Sequence, residues 1–179
     1  MIIVNKNINK YKNRGLELER ILINTFNQKK YSNIALIEKS PTPIQVLKND
    51  EDFISKAYFK RVSSLDFSGV FKGKHIEIEA KSTQNPTIFN FNNIQTHQNE
   101  RMKKLIELGC MVYLVIEFKS INRFFLMEGQ HAISFFEGSP KNVPINLIEE
   151  QSKELFLKPN FTLDILENIW VLQRFWYFF

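Results

Sequence analysis

The chain has a single cysteine, Cys110, in 179 residues. That excludes an internal disulfide, and a reducing cytoplasm is the simplest setting for such a protein. Cysteine-rich metal clusters are excluded with it, and His75, His97 and His131 are too scattered to build a structural zinc site. Long apolar runs are also missing. One of the longest, "CMVYLVI" at 110–116, is too short to span a bilayer. No signal peptide is expected, because "MIIVNKNINKYKNRG" turns polar after four residues. Neither GxxxxGK(S/T) nor GxGxxG occurs, which argues against a nucleotide cradled by a glycine-rich loop. Internal repeats and low-complexity linkers are absent too. These absences leave a soluble cytoplasmic protein with no membrane partner.

What is present suits one globular domain over residues 1–179. Hydrophobic residues make up 44% and charged residues 24%, and the length suffices to bury a sizeable core. The net charge of +5 is unevenly placed. Residues 1–30 carry seven Lys or Arg against two acids, while 31–100 balance at eight each and 101–179 at nine each. A basic arm over 1–12 that leads into a helix would suit a polyanion, since contacts to phosphates release counterions. A solvated tail is the alternative.

Along the chain, 13–28 reads as a first helix, with Leu16, Ile23 and Phe26 at helical spacing and Leu18 and Leu22 beside them. "NIALIEKS" reads as a strand. The following "SPTPIQVL" contains Pro41 and Pro43, which bar it from a helix interior or a central strand and mark an extended, protruding segment. "EDFISKAYFKRVSS" is expected to run from a short helical stretch into an extended one. "LDFSGVF" and "KHIEIEAKS" flank Lys72-Gly73-Lys74 as a hairpin. A second helix over "NIQTHQNERMKKLIELG" ends with Gly109 in a capping position. "CMVYLVIEF" should be a doubly buried strand, with "NRFFLME" as its neighbour. A short helix at "GQHAISFFEG" and a last helix from about Thr162 complete a mixed α/β sheet covered by helices. The apolar end "WVLQRFWYFF" either packs across the core or joins a subunit interface.

Alternation in "HIEIEAK" sends Ile76, Ile78 and Ala80 to one face and Glu77, Glu79 and Lys81 to the other. A solvated hairpin would show the same pattern. However, Asp66 and Glu79 are roughly equidistant from Gly73, so strand pairing should bring the two carboxylates together. Such a pair repels unless a cation neutralises it or one member takes a proton, and magnesium, a hard ion with oxygen ligands, is the usual resolution. Lys81 reaches the same face and could neutralise charge on a phosphate. An acid followed by Glu-x-Lys therefore suits metal-assisted phosphodiester hydrolysis. Glu19 falls in the Leu16–Ile23–Phe26 stripe, where it is either paired or at an edge reaching solvent. Gln98 is in register with Met102, Leu105 and Gly109, so it faces the sheet as a metal ligand or as a helix-end hydrogen bond. Ser64 shares the face of Asp66 as a weak ligand candidate. Lys10 and Lys12 in the arm, Arg14 just after it, and Lys72 and Lys74 at the hairpin, are candidate DNA contacts.

Five ordered blocks carry a resemblance: "NRGLELE" at 13–19, "SPTPIQV" at 40–46, "AYF" at 57–59, "SSLDFSGVFKGKHIEIEAK" at 63–81 and "HQNERM" at 97–102. Together they resemble the RecU-type Holliday junction resolvases of the PD-(D/E)xK nuclease superfamily, over roughly residues 13–130. The resemblance implies a restriction-endonuclease-like mixed β-sheet flanked by helices, with a protruding stalk at about 36–62 that enters the junction. It implies a magnesium-dependent homodimer, with manganese as a substitute ion, that cuts four-way DNA junctions by paired nicks during recombination and repair. Other recombination proteins are further candidate partners. Carried over by position, it makes Asp66, Glu79 and Gln98 metal ligands, with Ser64 at a position where relatives commonly have threonine. Lys81 becomes the transition-state stabiliser, and Glu19 matches an acid on the fold's first helix. Glu77 receives no role. Two alternatives remain: a DNA-binding protein on an inactive nuclease scaffold, and a PD-(D/E)xK nuclease acting on linear duplex.

Overall fold

The computed structural model of the chain describes residues 15–28, 31–41, 44–50, 53–59 and 64–174, with side chains undescribed at 44–50, 53–59 and 173–174. The basic arm, with Lys10 and Lys12, and Arg14 after it lie outside these residues.

Leu18, Ile21, Leu22, Thr25 and Phe26 recur every three or four residues and form the buried face of helix α1 (Leu16–Phe26). This corrects the expected stripe. Leu16 is 53% exposed and Ile23 only partly buried, because the row through Leu18 and Leu22 is the wider apolar one and takes the core. Thr25 is tolerated inside that row because its hydroxyl donates to Ile21 O and accepts from Leu163 N.

Strand β1 (Ala35–Lys39) is followed by a separate two-stranded sheet of β2 (Ile44–Asp50) and β3 (Phe53–Phe59). Residues 36–39 belong to the main sheet, where Ile37 is buried and β1 pairs antiparallel with 67–71. The short helical stretch expected ahead of Phe59 is also replaced: 53–59 is extended throughout, its backbone paired with β2. Pro43 lies outside the described residues.

β4 (Phe67–Phe71) and β5 (Lys74–Thr83) form the expected hairpin. Lys72 and Gly73 both have positive φ, 48° and 79°, the conformation of a two-residue type I′ turn whose twist matches the strands it joins. Short β6 (Ile88–Asn90) then leads into helix α2 (Thr96–Glu107). Gly109, at φ 76°, and the Cys110 amide return hydrogen bonds to Ile106 O and Leu105 O, closing α2 in a Schellman motif.

The chain continues through β7 (Met111–Phe118), β8 (Arg123–Glu128), α3 (Gly129–Glu137), β9 (Asn142–Pro144), α4 (Ile145–Glu150), β10 (Ser152–Leu155) and α5 (Ile165–Arg174). The six-stranded sheet has the order β1-β4-β5-β7-β8-β10. Only its β5–β7 pair is parallel, and α2 makes the crossover that a parallel pair requires. α1 and α5 cover one face through Leu18, Leu22, Ile165 and Ile169, packed on Phe67, Ile76 and Ile78. α2, α3 and α4 cover the other through Met102, Leu105, Ala132 and Ile148, packed on Leu114, Ile116 and Phe125.

β5 lies between two strands and two helical layers, so both of its faces are buried. Ile76 and Ile78 point into the α1 core, while Glu77 and Glu79, 1% and 0% exposed, lie on the α2 side. A solvated hairpin face is ruled out. In the apolar C-terminal segment, Trp170 and Val171 are each 47% exposed, while Leu172 packs against the core cluster that holds Ile165, Leu166 and Ile169; 175–179 lie outside the described residues. Among the described residues no helix is long and apolar enough to cross a membrane.

Gly69 of β4 is required by close backbone approach, since a Cβ there would stand 1.9 Å from Leu36 O. Gly69→Ala is expected to cost about 3 kcal/mol by urea unfolding, more than Gly73→Ala at about 1 kcal/mol, where only a positive φ is at stake. Equal midpoints for the two variants would contradict this ranking.

Candidate active site

The pairing of Phe67 with Ile78 continues by one residue to place Asp66 opposite Glu79, as the spacing about Gly73 requires. Asp66 is held by backbone on two sides. Ala80 N donates to its Oδ2 at 2.9 Å, and its own carbonyl accepts from Ser40 N at 2.8 Å. Glu79 is fully buried beside it. Its Oε1 accepts from Lys81 Nζ and, at 2.6 Å, from Gln98 Nε2. Among the described residues its Oε2 has no hydrogen-bond partner. Burial pushes the Glu79 carboxyl up to about 8; the nearby Asp66 adds to this and Lys81 opposes it. Without a cation, Glu79 therefore holds a proton near neutral pH.

Gln98 faces the sheet as its register with Met102 and Leu105 predicts. It serves both possibilities left open by the sequence: its nitrogen reaches Glu79, while its Oε1 accepts from Gln95 N in a capping box at the start of α2. To offer an oxygen to a metal, the amide would have to release Gln95.

Glu19 stands at the edge of the α1 stripe, 22% exposed, and accepts from Lys39. With Gly15, Asp66, Lys81, Asn93 and Lys119 it lines a cleft of about 540 Å³ at the C-terminal end of β5. Glu19, Asp66 and Lys81 thus share one cavity, with Glu79 buried behind it. Ser64 is half-buried two residues upstream of Asp66 and is not among the residues lining the cleft. Lys72 and Lys74 are not brought to this site. Lys72 lies in the turn and Lys74 directly after it, at the opposite end of β5, where Lys72 Nζ sits 3.8 Å from the centroid of the Trp170 ring. Seven residues of strand separate Lys74 from Lys81, roughly 23 Å.

Three residues of the site escaped the sequence. Arg101, three residues past Gln98 on α2, forms an ion pair with Glu77 through Nε at 3.2 Å and through Nη2. Burial opposes ionisation of Glu77, but Arg101, the Leu65 amide and His75 outweigh it and hold the carboxyl below its usual range. Lys119 follows β7 and reaches the cleft, bonded at 3.2 Å to the exposed Glu17. Glu117, paired in register with Ser82, is buried and accepts from its hydroxyl; burial raises its carboxyl. Of the three, Glu117 left a local signal, as an acid interrupting the apolar "MVYLVIEF".

Among the described residues no cluster of three or more His, Cys, Asp or Glu gathers at one point. The acidic pair still fits a hard divalent cation. Glu79 Oε2 is a buried, unpartnered oxygen next to a second carboxylate, and such ions complete their shells with water and neutral oxygens. An acid beside one hairpin strand, Glu-x-Lys on the next and a helix crossing from that strand to its parallel neighbour, all on a mixed sheet, form the arrangement that the sequence led us to expect of PD-(D/E)xK nucleases. More narrowly, the chain belongs to the RecU family, whose model, described as Recombination protein U, matches residues 13–170. The Holliday junction resolvase RecU of Bacillus mycoides is 36% identical over 154 residues, covering 81% of this chain and 77% of that one. Its counterpart in Bacillus cytotoxicus is 38% identical with the same coverage. Among solved structures, Archaeoglobus fulgidus Hjc, a Holliday junction resolvase, overlaps 56% of this chain and 78% of its own at 14% identity and a TM-score of 0.38.

The raised Glu79 carboxyl has a measurable consequence in metal-free buffer. Its folded value of about 8 exceeds the ordinary 4.5, so between those limits the folded state binds more protons than the unfolded one. Stability must then fall as pH rises from about 5 to 8. Glu79→Gln mimics the protonated form and should lose less stability over that range in urea titrations with chelator present. Parallel curves for parent and variant would refute the shift.

Proposed function

We propose that this chain is a divalent-metal-dependent endonuclease that resolves four-way DNA junctions by paired nicks. The observation that carries this reading is the oxygen of buried Glu79 that has no partner among the described residues, set opposite Asp66 and beside Lys81 just behind an open cleft that those two line. Asp66 and Glu79 would hold magnesium, with manganese as a substitute, and Ser64 and Gln98 are the further donors. Such an ion would supply Lewis-acid polarisation of the phosphate and a more acidic water. Lys81, fixed against Glu79, places its ammonium where charge builds on the phosphoryl oxygens. Glu19 adds an acid on the α1 wall of the cleft, from which it can orient a water.

The remaining candidate residues concern the substrate. Lys10, Lys12 and Arg14 would contact phosphates. Lys72 and Lys74, at the far end of β5, could meet only a DNA arm that runs past the hairpin turn. The β2–β3 pair is the stalk that would enter the junction. A two-fold symmetric junction is matched by a homodimer in which each subunit nicks one strand. The setting is cytoplasmic recombination and repair, alongside other recombination proteins.

The test is cleavage of a synthetic four-way junction and a matched linear duplex by purified protein with magnesium. Symmetric nicking of the junction is expected. Asp66→Asn or Glu79→Gln should abolish it with binding retained, and Lys81→Ala should lower kcat by roughly 100- to 1,000-fold. Binding without cleavage by the parent protein would point to an inactive scaffold, and efficient cutting of the linear duplex to a nuclease of another specificity.

A further inference from the structure

Glu77 shares a face of β5 with Glu79 and Lys81 but does not line the cleft, and it is 1% exposed. Both its oxygens are engaged. Oε2 accepts from Leu65 N at 3.1 Å and from Arg101 Nε at 3.2 Å. Oε1 accepts from Arg101 Nη2 and lies 3.2 Å from His75 Nε2. Each partner belongs to an element that carries the site. Leu65 immediately precedes Asp66, Glu77 is two residues before Glu79 on β5, and Arg101 is one helical turn beyond Gln98 on α2.

An ion pair is an expensive occupant for such a position. Glu77 is buried while Arg101 is 38% exposed, and at such a position an apolar side chain of similar volume is often neutral or stabilising, which directs attention to what the pair specifies. What this pair specifies is relative placement. The other bonds of Asp66, from Ala80 N and Ser40 N, tie it to β5 and to the segment after β1, and neither reaches α2. Glu77 bonds to both the Asp66 turn and α2.

We propose that the Glu77–Arg101 pair is a positioning clamp that locks the Asp66 turn, β5 and α2 in one register and so sets the spacing at which Asp66, Glu79 and Gln98 meet a divalent cation. The proposal rests on the nuclease reading and adds two positioning residues to it. Neither touches the reacting atoms.

The test uses the full chain and the variants Glu77→Ala, Glu77→Gln and Arg101→Ala, with folding checked by circular dichroism. Manganese alone is titrated into DNA-free protein and followed by electron paramagnetic resonance. Glu77→Ala and Arg101→Ala should bind it roughly 10- to 100-fold more weakly, the usual effect of losing a group that orients ligands. Glu77→Gln, which keeps an oxygen for Leu65 N, should recover part of the loss. At limiting metal, kcat should fall in parallel while KM for the junction stays within about two-fold. Amide exchange should accelerate at Leu65 and Ala80 and remain slow at Val115 in the core, a pattern that general destabilisation would not produce. If Glu77→Ala fails to fold, Glu77→Gln and Arg101→Lys carry the test, with smaller losses of the same kind. Folded variants with manganese affinity and kcat within two-fold of the parent would overturn the clamp. A parent that neither binds manganese nor cuts the junction would overturn the nuclease reading instead, and exchange at Leu65 and Ala80 would still decide whether the clamp exists.

Discussion

Two carboxylates, Asp66 and Glu79, face each other across a pair of strands, and one of them has no access to water. Most of the site follows from that constraint. A buried carboxyl must take a proton, find a cation or be surrounded by donors, and Glu79 shows parts of all three responses. Its pKa is raised, Lys81 is drawn against it, and Gln98 reaches across from α2. One oxygen is left over. A fold selected for stability alone would put an isoleucine there, as it does at Ile76 and Ile78 on the opposite face. The tension is the kind expected where function overrides local consistency.

The rest of the architecture serves this pair. The type I′ turn at Lys72-Gly73 sets the register of β4 on β5, and a slip of one residue would send Asp66 and Glu79 to opposite faces. Pairing of β5 with β7 on its other side removes the central strand from solvent, and the parallel sense of that pair demands a crossover. α2 is that crossover, which is why a helix N-terminus, with Gln98 in its capping box, stands over Glu79. α1 approaches from the opposite face and contributes Glu19 to the cleft rim, while the Asp66 turn is held from beneath by Glu77.

Much of the site was legible because its relations are local or periodic. Asp66 and Glu79 meet by counting from Gly73, and Gln98 faces inward by the 3.6-residue period. The buried stripe of α1 is less legible for a related reason: two overlapping apolar rows exist in "LELERILINTF", and the wider one wins only once a sheet is present to receive it. The stretch at 53–59 looked partly helical in isolation, but pairing with β2 satisfies its backbone as a strand. Lys72 and Lys74 stand at the end of β5 away from the cleft, as the length of the strand requires.

The sequence by itself determined the hairpin register, the alternation along β5, the inward stripe of α2 and hence the meeting of Asp66, Glu79, Lys81 and Gln98. These are consequences of fixed backbone periods acting over a few dozen residues. Only the tertiary structure decided that the charged face of β5 is dry, that Arg101 closes on Glu77 and that Lys119 reaches the cleft from beyond β7. Burial and long-range pairing depend on which layers cover a strand and where distant segments return. No local pattern records that, because one alternation of charge and aliphatic residues serves equally well on a solvated hairpin and at the centre of a covered sheet.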